Sequence, residues 1–366
     1  MELLLFNHQE YERLYNCTNL VIDSIPIEKR RLTLLALINL ILGIIYFLLY
    51  LPCLFSIWKQ HWKNDCYTIL LFIGIVDIIG LIITGFLHPI LALLGAVFCS
   101  YPALIFIVGG LAKFVWVAES TANLVLAFNR CLQVISNSIS SFLFEGIKTY
   151  IWLLISFLYA LFCFCFLRPV LFSGIYFSWF YYPFVGYKED INGEFNTQLQ
   201  FYHNLTVGIT LPTIYLIFAF GLIIKNHKFK QIANTQVFLQ VFTISILNTT
   251  CSSLYFVMQF LKPEWLIVIS QFAWFHVFLQ VFTISIINTT CSSLYFVMQF
   301  IKPEWLIIIS QFAWFHVHGF PPIIYLFLNK TIREDCRLFF FKIFKSNKVN
   351  QVNGVNILVK PGIIIQ

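Results

Sequence analysis

An all-α integral membrane protein is the fold this sequence predicts: a seven-transmembrane helix bundle with one extra helix-sized insertion. Three observations predict it. The 366 residues are 60% hydrophobic and 11% charged, against roughly 25% charged in soluble domains. Six or more apolar runs reach the ~20 residues that cross a ~30 Å hydrocarbon core, where backbone polar groups are satisfied only inside helices. A near-identical internal repeat of 40 residues supplies the surplus. This composition argues against a soluble enzyme. No Gly-x-Ser-x-Gly, Walker or Rossmann element is present, and "HVH" at His316–His318 is too sparse for a metal site. The expectation is therefore no enzyme, no cofactor and no metal. The net charge of +7 sits in loops and tail and reads as topology, not as nucleic-acid binding.

Taken in order, "MELLLF" is too short for a cleavable signal and polar residues follow it at once. Residues 1–31 are expected as an extracellular N-terminal segment, and residues 32–330 as the bundle. Its spans are expected at about Leu32–Ile57, Cys66–Leu87, Pro102–Phe128, Thr149–Leu167 and Leu205–Ile224, with the sixth starting near Val237. A long aromatic loop separates the fourth and fifth. The last span ends at "FPPIIYLFLNK". Residues 331–366 are expected as a cytoplasmic tail, whose "TIREDCRLFFFKIFKSNK" suits an amphipathic helix on the inner membrane surface.

Residues 237–276 and 277–316 differ only at Leu247/Ile287, Leu261/Ile301 and Val268/Ile308. Old transporter repeats keep only weak similarity, so this near-identity reads as recent copying of a coding segment. The fused apolar run Trp265–Phe300 would be about 54 Å long as one helix, beyond ordinary tilt. As two spans it offers no Gly, Pro or charge on which to turn. Removing one copy leaves seven ordinary spans.

With that copy removed and the N-terminus outside, inner loops and tail hold fourteen Lys/Arg and outer segments seven, as the positive-inside rule favours. Lys29, Arg30 and Arg31 dissent locally: they are what an N-inside seven-span ligand-gated channel would show. The sequons at Asn16 and Asn204 both fall outside in this topology and are expected to be glycosylated. Of ten cysteines, only Cys17 and Cys99 face outward, which predicts a disulfide between them.

Ionisable groups inside spans are expensive and are functional hypotheses by default. Asp77, Glu119 and His318 each fall ~16–18 Å from an inner charged boundary, so three helices place one near mid-membrane. Two carboxylates there cannot both ionise cheaply. They form a polar switch or ion site sharing a proton or a cation, or a set of static inter-helix hydrogen bonds. A solute or proton transporter would use the same three. Lys113, about 25 Å from Arg130 along the third span, faces a ligand cavity or snorkels to the surface. Trp116 and Trp179 line an outer pocket with it or belong to an interfacial belt.

These residues resemble seven-transmembrane G-protein-coupled receptors. Asp77 in "GIVDIIG" matches the acid of the second helix. "FNRC", with Asn129 and Arg130, sits where the family carries its Asp-Arg-Tyr-type motif. "PIIY", Pro322–Tyr325, is similar to the Pro-x-x-Tyr of the seventh helix. More narrowly, "LYNCTN", Cys99, "LAFNRC", "SWFYYPFVGY" and "HGFPPIIYLFLNKTIR" resemble the nematode serpentine chemoreceptors of class T, over about Tyr11–Phe344. The resemblance implies a chemosensory receptor for an unknown small-molecule or peptide ligand, activating a heterotrimeric G protein. It implies a plasma-membrane location with the N-terminus extracellular, in a sensory-neuron cilium. It assigns Arg130 to the G-protein face, Tyr325 to an inward swing and Pro322 to the kink. Asn129 departs from the usual acid and Pro321 from the usual Asn. Cys336 is a palmitoylation candidate or a reduced structural thiol.

Overall fold

A computed structural model describes residues 1–18, 20, 22, 25–188, 194–195, 198–228, 304–329 and 331–341. The sixth span, the first repeat copy and most of the second lie outside the described residues.

Three short helices open the chain: α1 (Glu2–Leu5), α2 (His8–Tyr15) and α3 (Ile27–Arg30). Then follow α4 (Thr33–Gln60) and α5 (Asp65–Leu81). A π-helical segment (Ile82–Leu87) joins α5 to α6 (His88–Leu93). Next come α7 (Pro102–Ile135), α8 (Asn137–Phe144), α9 (Ile147–Phe166), the hairpin strands β1 (Leu171–Ser173) and β2 (Ser178–Phe180), and α10 (Gln198–Lys228). The described chain ends with α11 (Glu304–Gly319), α12 (Pro321–Leu328) and a helix α13 over 331–341.

Among the described residues, Ile27–Gln60, Asp65–Leu93, Pro102–Ile135 and Ile147–Phe166 are long and apolar enough to cross a membrane. The pair Ile307–Gly319 and Pro321–Phe327, bent by 50°, makes a fifth if it is one span. The protein is thus an all-α membrane-spanning bundle. The observed helices extend past several expected limits, because helical hydrogen bonding continues beyond the hydrocarbon edge. The third span runs on to Ile135 and the fifth begins at Gln198.

Local chemistry explains the ends and breaks. Asn64 caps α5 by accepting from the Cys66 amide at 2.9 Å, and Ser136 caps α8 through Ile139. Pro89 has no N–H to give the Gly85 carbonyl, and its ring crowds that turn. The chain widens into the π segment immediately before it. The widened turn is satisfied from the side: Asn39 of α4 donates to the Thr84 carbonyl at 2.9 Å, and the Thr84 hydroxyl donates to Gly80 at 2.8 Å.

α7 is the central helix, packed against α5, α9 and α10. Its residues are largely buried, whereas α4 and α9 turn rows of Leu, Ile and Phe outward, as lipid-facing helices do. Small residues set the closest approaches. A Cβ on Gly43 would lie 2.5 Å from the Gly85 carbonyl oxygen, so α4 and the π segment meet there only because both residues are glycine. A Cβ on Gly80 would lie 2.6 Å from the His318 ring. The space that α5 leaves at Gly80 is what admits the α11 histidine.

Gly80→Val should therefore push His318 out of place. Overpacking of this kind costs about 1–3 kcal/mol. It should lower the melting midpoint of the solubilised protein, read with a thiol-reactive fluorophore that reports the free cysteines. A variant melting like wild type would show that the contact at Gly80 is slack.

Candidate functional site

Asp77, Glu119 and His318 are all fully buried and come together between α5, α7 and α11. His318 Nδ1 is 3.0 Å from Asp77 Oδ1 and 3.6 Å from Glu119 Oε2. The other Asp77 oxygen accepts from the Tyr50 hydroxyl at 2.6 Å, which brings in α4. Asn123, one turn from Glu119, donates to Glu119 Oε1 at 3.0 Å. Sequence reading found the three ionisable members but missed Tyr50 and Asn123. The signal for Asn123 was its i+4 spacing from an intramembrane acid. One atom from each of Asp77, Glu119 and His318 falls within 4.8 Å of the others, so this group could hold a metal ion as well as a shared proton. These contacts link α4, α5, α7 and α11 through one buried polar cluster.

Toward the C-terminal end of α7, Asn129 is fully buried and accepts from Gln133 Nε2 at 3.3 Å, while Arg130 Nη1 donates to Gln133 Oε1 at 3.3 Å. Among the described residues, the hydrogen bonds of Arg130 stay within its own helix. Tyr325 is buried, and among the described residues its hydroxyl has no hydrogen-bond partner. Pro322 sits in the first turn of α12, just past the 50° bend, and its carbonyl accepts from the Cys53 thiol at 3.7 Å. Cys336 is a buried free thiol on α13. α13 is held to the end of α4 by Asp335, which accepts from Lys59 at 2.9 Å, Ser56 at 3.0 Å and Gln60 at 3.1 Å. Burial pushes the Asp335 carboxyl up, but these three donors outweigh it and hold the pKa below the usual carboxylate value.

Toward the hairpin end of the bundle, the expected trio of Lys113, Trp116 and Trp179 is not drawn together by any hydrogen bond or ring contact among the described residues. Lys113 is 3% exposed and does not snorkel. Its ammonium donates to the Arg168 carbonyl at 3.0 Å and lies 5.0 Å from the centre of the Tyr181 ring. Trp116 donates to Asn204 at 3.1 Å, and Ser120 contacts His203 at 2.9 Å, so this face of α7 meets α10. Trp179 instead donates to His88 Nδ1 at 3.0 Å. The hairpin carrying it drives Phe172, Phe177 and Trp179 into the bundle. Phe177 adopts φ 52°, a strained conformation for a bulky residue. Its ring is held edge-on to His88, with centres 4.4 Å apart, and stacked on Phe312 at 6.0 Å.

Cys17 and Cys99 form a disulfide, which fixes the N-terminal segment over the start of α7. There Tyr11 and Tyr15 pack edge-on against Phe106. Asn16 is exposed beside it. Asn204 is at odds with the expected glycosylation: it is buried inside α10, and its amide oxygen already accepts from Trp116 and Gln200. A glycan acceptor needs an accessible loop.

The family model described as "Serpentine type 7TM GPCR chemoreceptor Srt" matches residues 1–276 and 275–351. The chain belongs to this family. Among curated relatives it is similar to Serpentine receptor class T-55 of Caenorhabditis elegans. The two are 29% identical over 149 residues, which is 41% of this chain and 40% of that protein. This serpentine receptor is thus a multi-pass membrane protein of a chemosensory receptor family, not of an enzyme family. The two matched segments overlap at residues 275–276, the last two residues of the first repeat copy.

Two outcomes follow from the inner and outer anchors. A lowered carboxyl pKa stabilises the fold above its unfolded value, and that contribution is lost as pH falls through the folded value. The Asp335 anchor should therefore be complete at neutral pH and fade only below about pH 4. The melting gap between wild type and Asp335→Asn should stay constant from pH 8 to 5 and close in stronger acid. A gap that closes near pH 6 would assign it to another group. For the outer anchor, intact-mass analysis after thiol blocking should find Cys17 and Cys99 unmodified until a reductant is added. Alkylation of both without reductant would exclude the bond.

Proposed function

We propose that this serpentine receptor binds an external chemical in its outer half and shifts the bundle toward a state that activates a heterotrimeric G protein. The observation that carries this reading is the polar centre, in which Tyr50, Asp77, Glu119 and His318, each 0% exposed, tie four helices together. Such a centre costs free energy in an apolar interior and gives the bundle a discrete packing to leave. A ligand moves that equilibrium only through different affinities for the two packings. The signal leaves at Arg130, whose described hydrogen bonding commits it to no other helix, and at Tyr325, whose buried hydroxyl has no partner among the described residues. Pro322 and the bend beside it form the hinge.

An extracellular N-terminus at the plasma membrane is supported by the disulfide, since thiols stay reduced on the cytosolic side. It is also supported by Arg30, whose guanidinium donates to the Ile25 and Gly95 carbonyls. This basic residue thus has a structural task at the mouth of the bundle, which weakens it as a topology signal for a channel with its N-terminus inside. Residues 331–341, with a Phe-rich face, serve as a cytoplasmic surface helix beside the G-protein site.

Membranes from cells expressing the receptor should catalyse guanine-nucleotide exchange on an added heterotrimeric G protein. Arg130→Ala should reduce that exchange at least tenfold at equal surface expression, scored with an N-terminal epitope on unpermeabilised cells. Asp77→Asn should change the basal exchange rate severalfold. An epitope stained only after permeabilisation, or exchange indifferent to both substitutions, would overturn the reading.

A further inference from the structure

Among the described residues, three buried nitrogen groups in the outer half have no hydrogen-bond partner: His88 Nε2, Gln311 Nε2 and Trp314 Nε1. Their residues are 0%, 1% and 4% exposed. All three are donors. An indole N–H can only donate, so the contact from Trp179 makes His88 Nδ1 the acceptor and leaves the proton on Nε2. Gln311 has its amide oxygen 3.4 Å from the Ser178 hydroxyl, which leaves its NH2 unmet. Trp314 has only its N–H. Buried donors without acceptors are rare in native proteins, because each carries the full desolvation cost of its group.

The three belong to one region. Gln311, Trp314 and His318 follow i, i+3, i+7 spacing and share a face of α11. His318 lies against Gly80. From that contact, eight residues outward to His88 and seven outward to Gln311 reach a similar height, about 11–12 Å above it. Both residues touch the same strand, His88 through Trp179 and Gln311 through Ser178. Phe177 lies against His88 on one side and Phe312 on the other. No lysine or arginine among the described residues is hydrogen-bonded or ion-paired with any of the three.

We propose that His88, Gln311 and Trp314 form the recognition site for a neutral carbonyl-bearing ligand, such as a ketone, ester or lactone. Its carbonyl oxygen, with two lone pairs, accepts from two of these donors at a time, and its apolar body packs against Phe172, Phe177 and Phe312. Neutral imidazole, amide and indole donors match a neutral oxygen. A carboxylate would call for a cation, and the buried Lys113 is engaged elsewhere, with Arg168 and Tyr181. The site rests on the receptor reading only for the need of a ligand, and its test involves no G protein.

The test uses the full-length receptor in lipid nanodiscs, melted with a thiol-reactive fluorophore. The probes are acetophenone, its carbonyl-free counterpart ethylbenzene, and benzoate. Acetophenone should raise the midpoint at concentrations where ethylbenzene, which partitions into lipid similarly, and benzoate do not. Gln311→Met keeps shape and loses the donor, whereas Trp314→Phe loses the donor together with part of the indole volume. Each should weaken the acetophenone effect about tenfold. Without ligand, Gln311→Met should melt at or above wild type, because it removes an unmet donor. Three results would each overturn the assignment: equal shifts from acetophenone and ethylbenzene, a shift that survives both substitutions, or unliganded Gln311→Met melting below wild type. The last would mean that the donors already hold partners, ordered water included. Loss of nucleotide exchange with carbonyl binding intact would instead count against the G-protein reading alone.

Discussion

A polar group inside a lipid bilayer must find its partner within the protein, and the contact between Asp77 and His318 is where this bundle meets that requirement most heavily. Asp77 uses one oxygen for the Tyr50 hydroxyl and the other for the imidazole. His318 in turn reaches toward Glu119, itself fixed by Asn123. The helices are arranged around this chain. α5 gives up a side chain at Gly80 so that the ring fits. The π segment that follows re-aims His88 and is itself held by Asn39. The 50° bend begins just beyond His318. Moving the imidazole would therefore alter the α5 contact, the charge balance with two acids and the course of α12 together.

The outer hairpin gives this centre a lever. α11 carries Gln311 and Trp314 on the same face as His318, within two turns, and Trp314 touches the His318 ring at 6.1 Å. Any group that engages the outer pair therefore acts on the helix that holds the imidazole. The strained Phe177 sits at the junction of hairpin, α6 and α11. A positive φ in a phenylalanine persists only while its surroundings hold it, so a displaced hairpin can relax into an ordinary turn. The molecule thus has a stiff polar centre and a restrained outer element one helix apart.

Much of this was legible in the sequence because membrane solvation leaves few options. Apolar run length gave the helices, and the rarity of intramembrane charge singled out Asp77, Glu119 and His318. Compartment chemistry paired Cys17 with Cys99. What escaped was whatever depends on which way a helix faces. Lys113 and Trp179 occupy the same outer half, yet α7 turns Lys113 toward the loop after α9 while the hairpin sends Trp179 to α6. Asn204 carries a sequon, but α10 begins seven residues before the apolar run and draws it inside. Tyr50 and Asp335 are ordinary residues by type. Their importance comes from partners 27 and 275–279 positions away in sequence, which no local pattern reveals.

The polar centre also bears on the repeat. α11 is built from the second copy, and its residues Glu304–His316 have near-identical counterparts at Glu264–His276. By sequence alone, either half-span could serve as the start of the last helix. The two diverge directly after the copied block: Val317 is followed by His318, Gly319, Phe320 and Pro321, whereas Val277 is followed by Phe278, Leu279, Gln280 and Val281. Phe278 stands where the imidazole would be, and its ring has no polar atom to bond to Asp77 or reach toward Glu119. Leu279 stands at Gly319, where even a Cβ would collide with the Tyr46 ring. Val281 removes the proline that opens α12. The first copy thus lacks all three features that dock α11 against α4 and α5, and only the second can complete the centre. The family match, which resumes at residue 275 and runs to 351, covers this continuation.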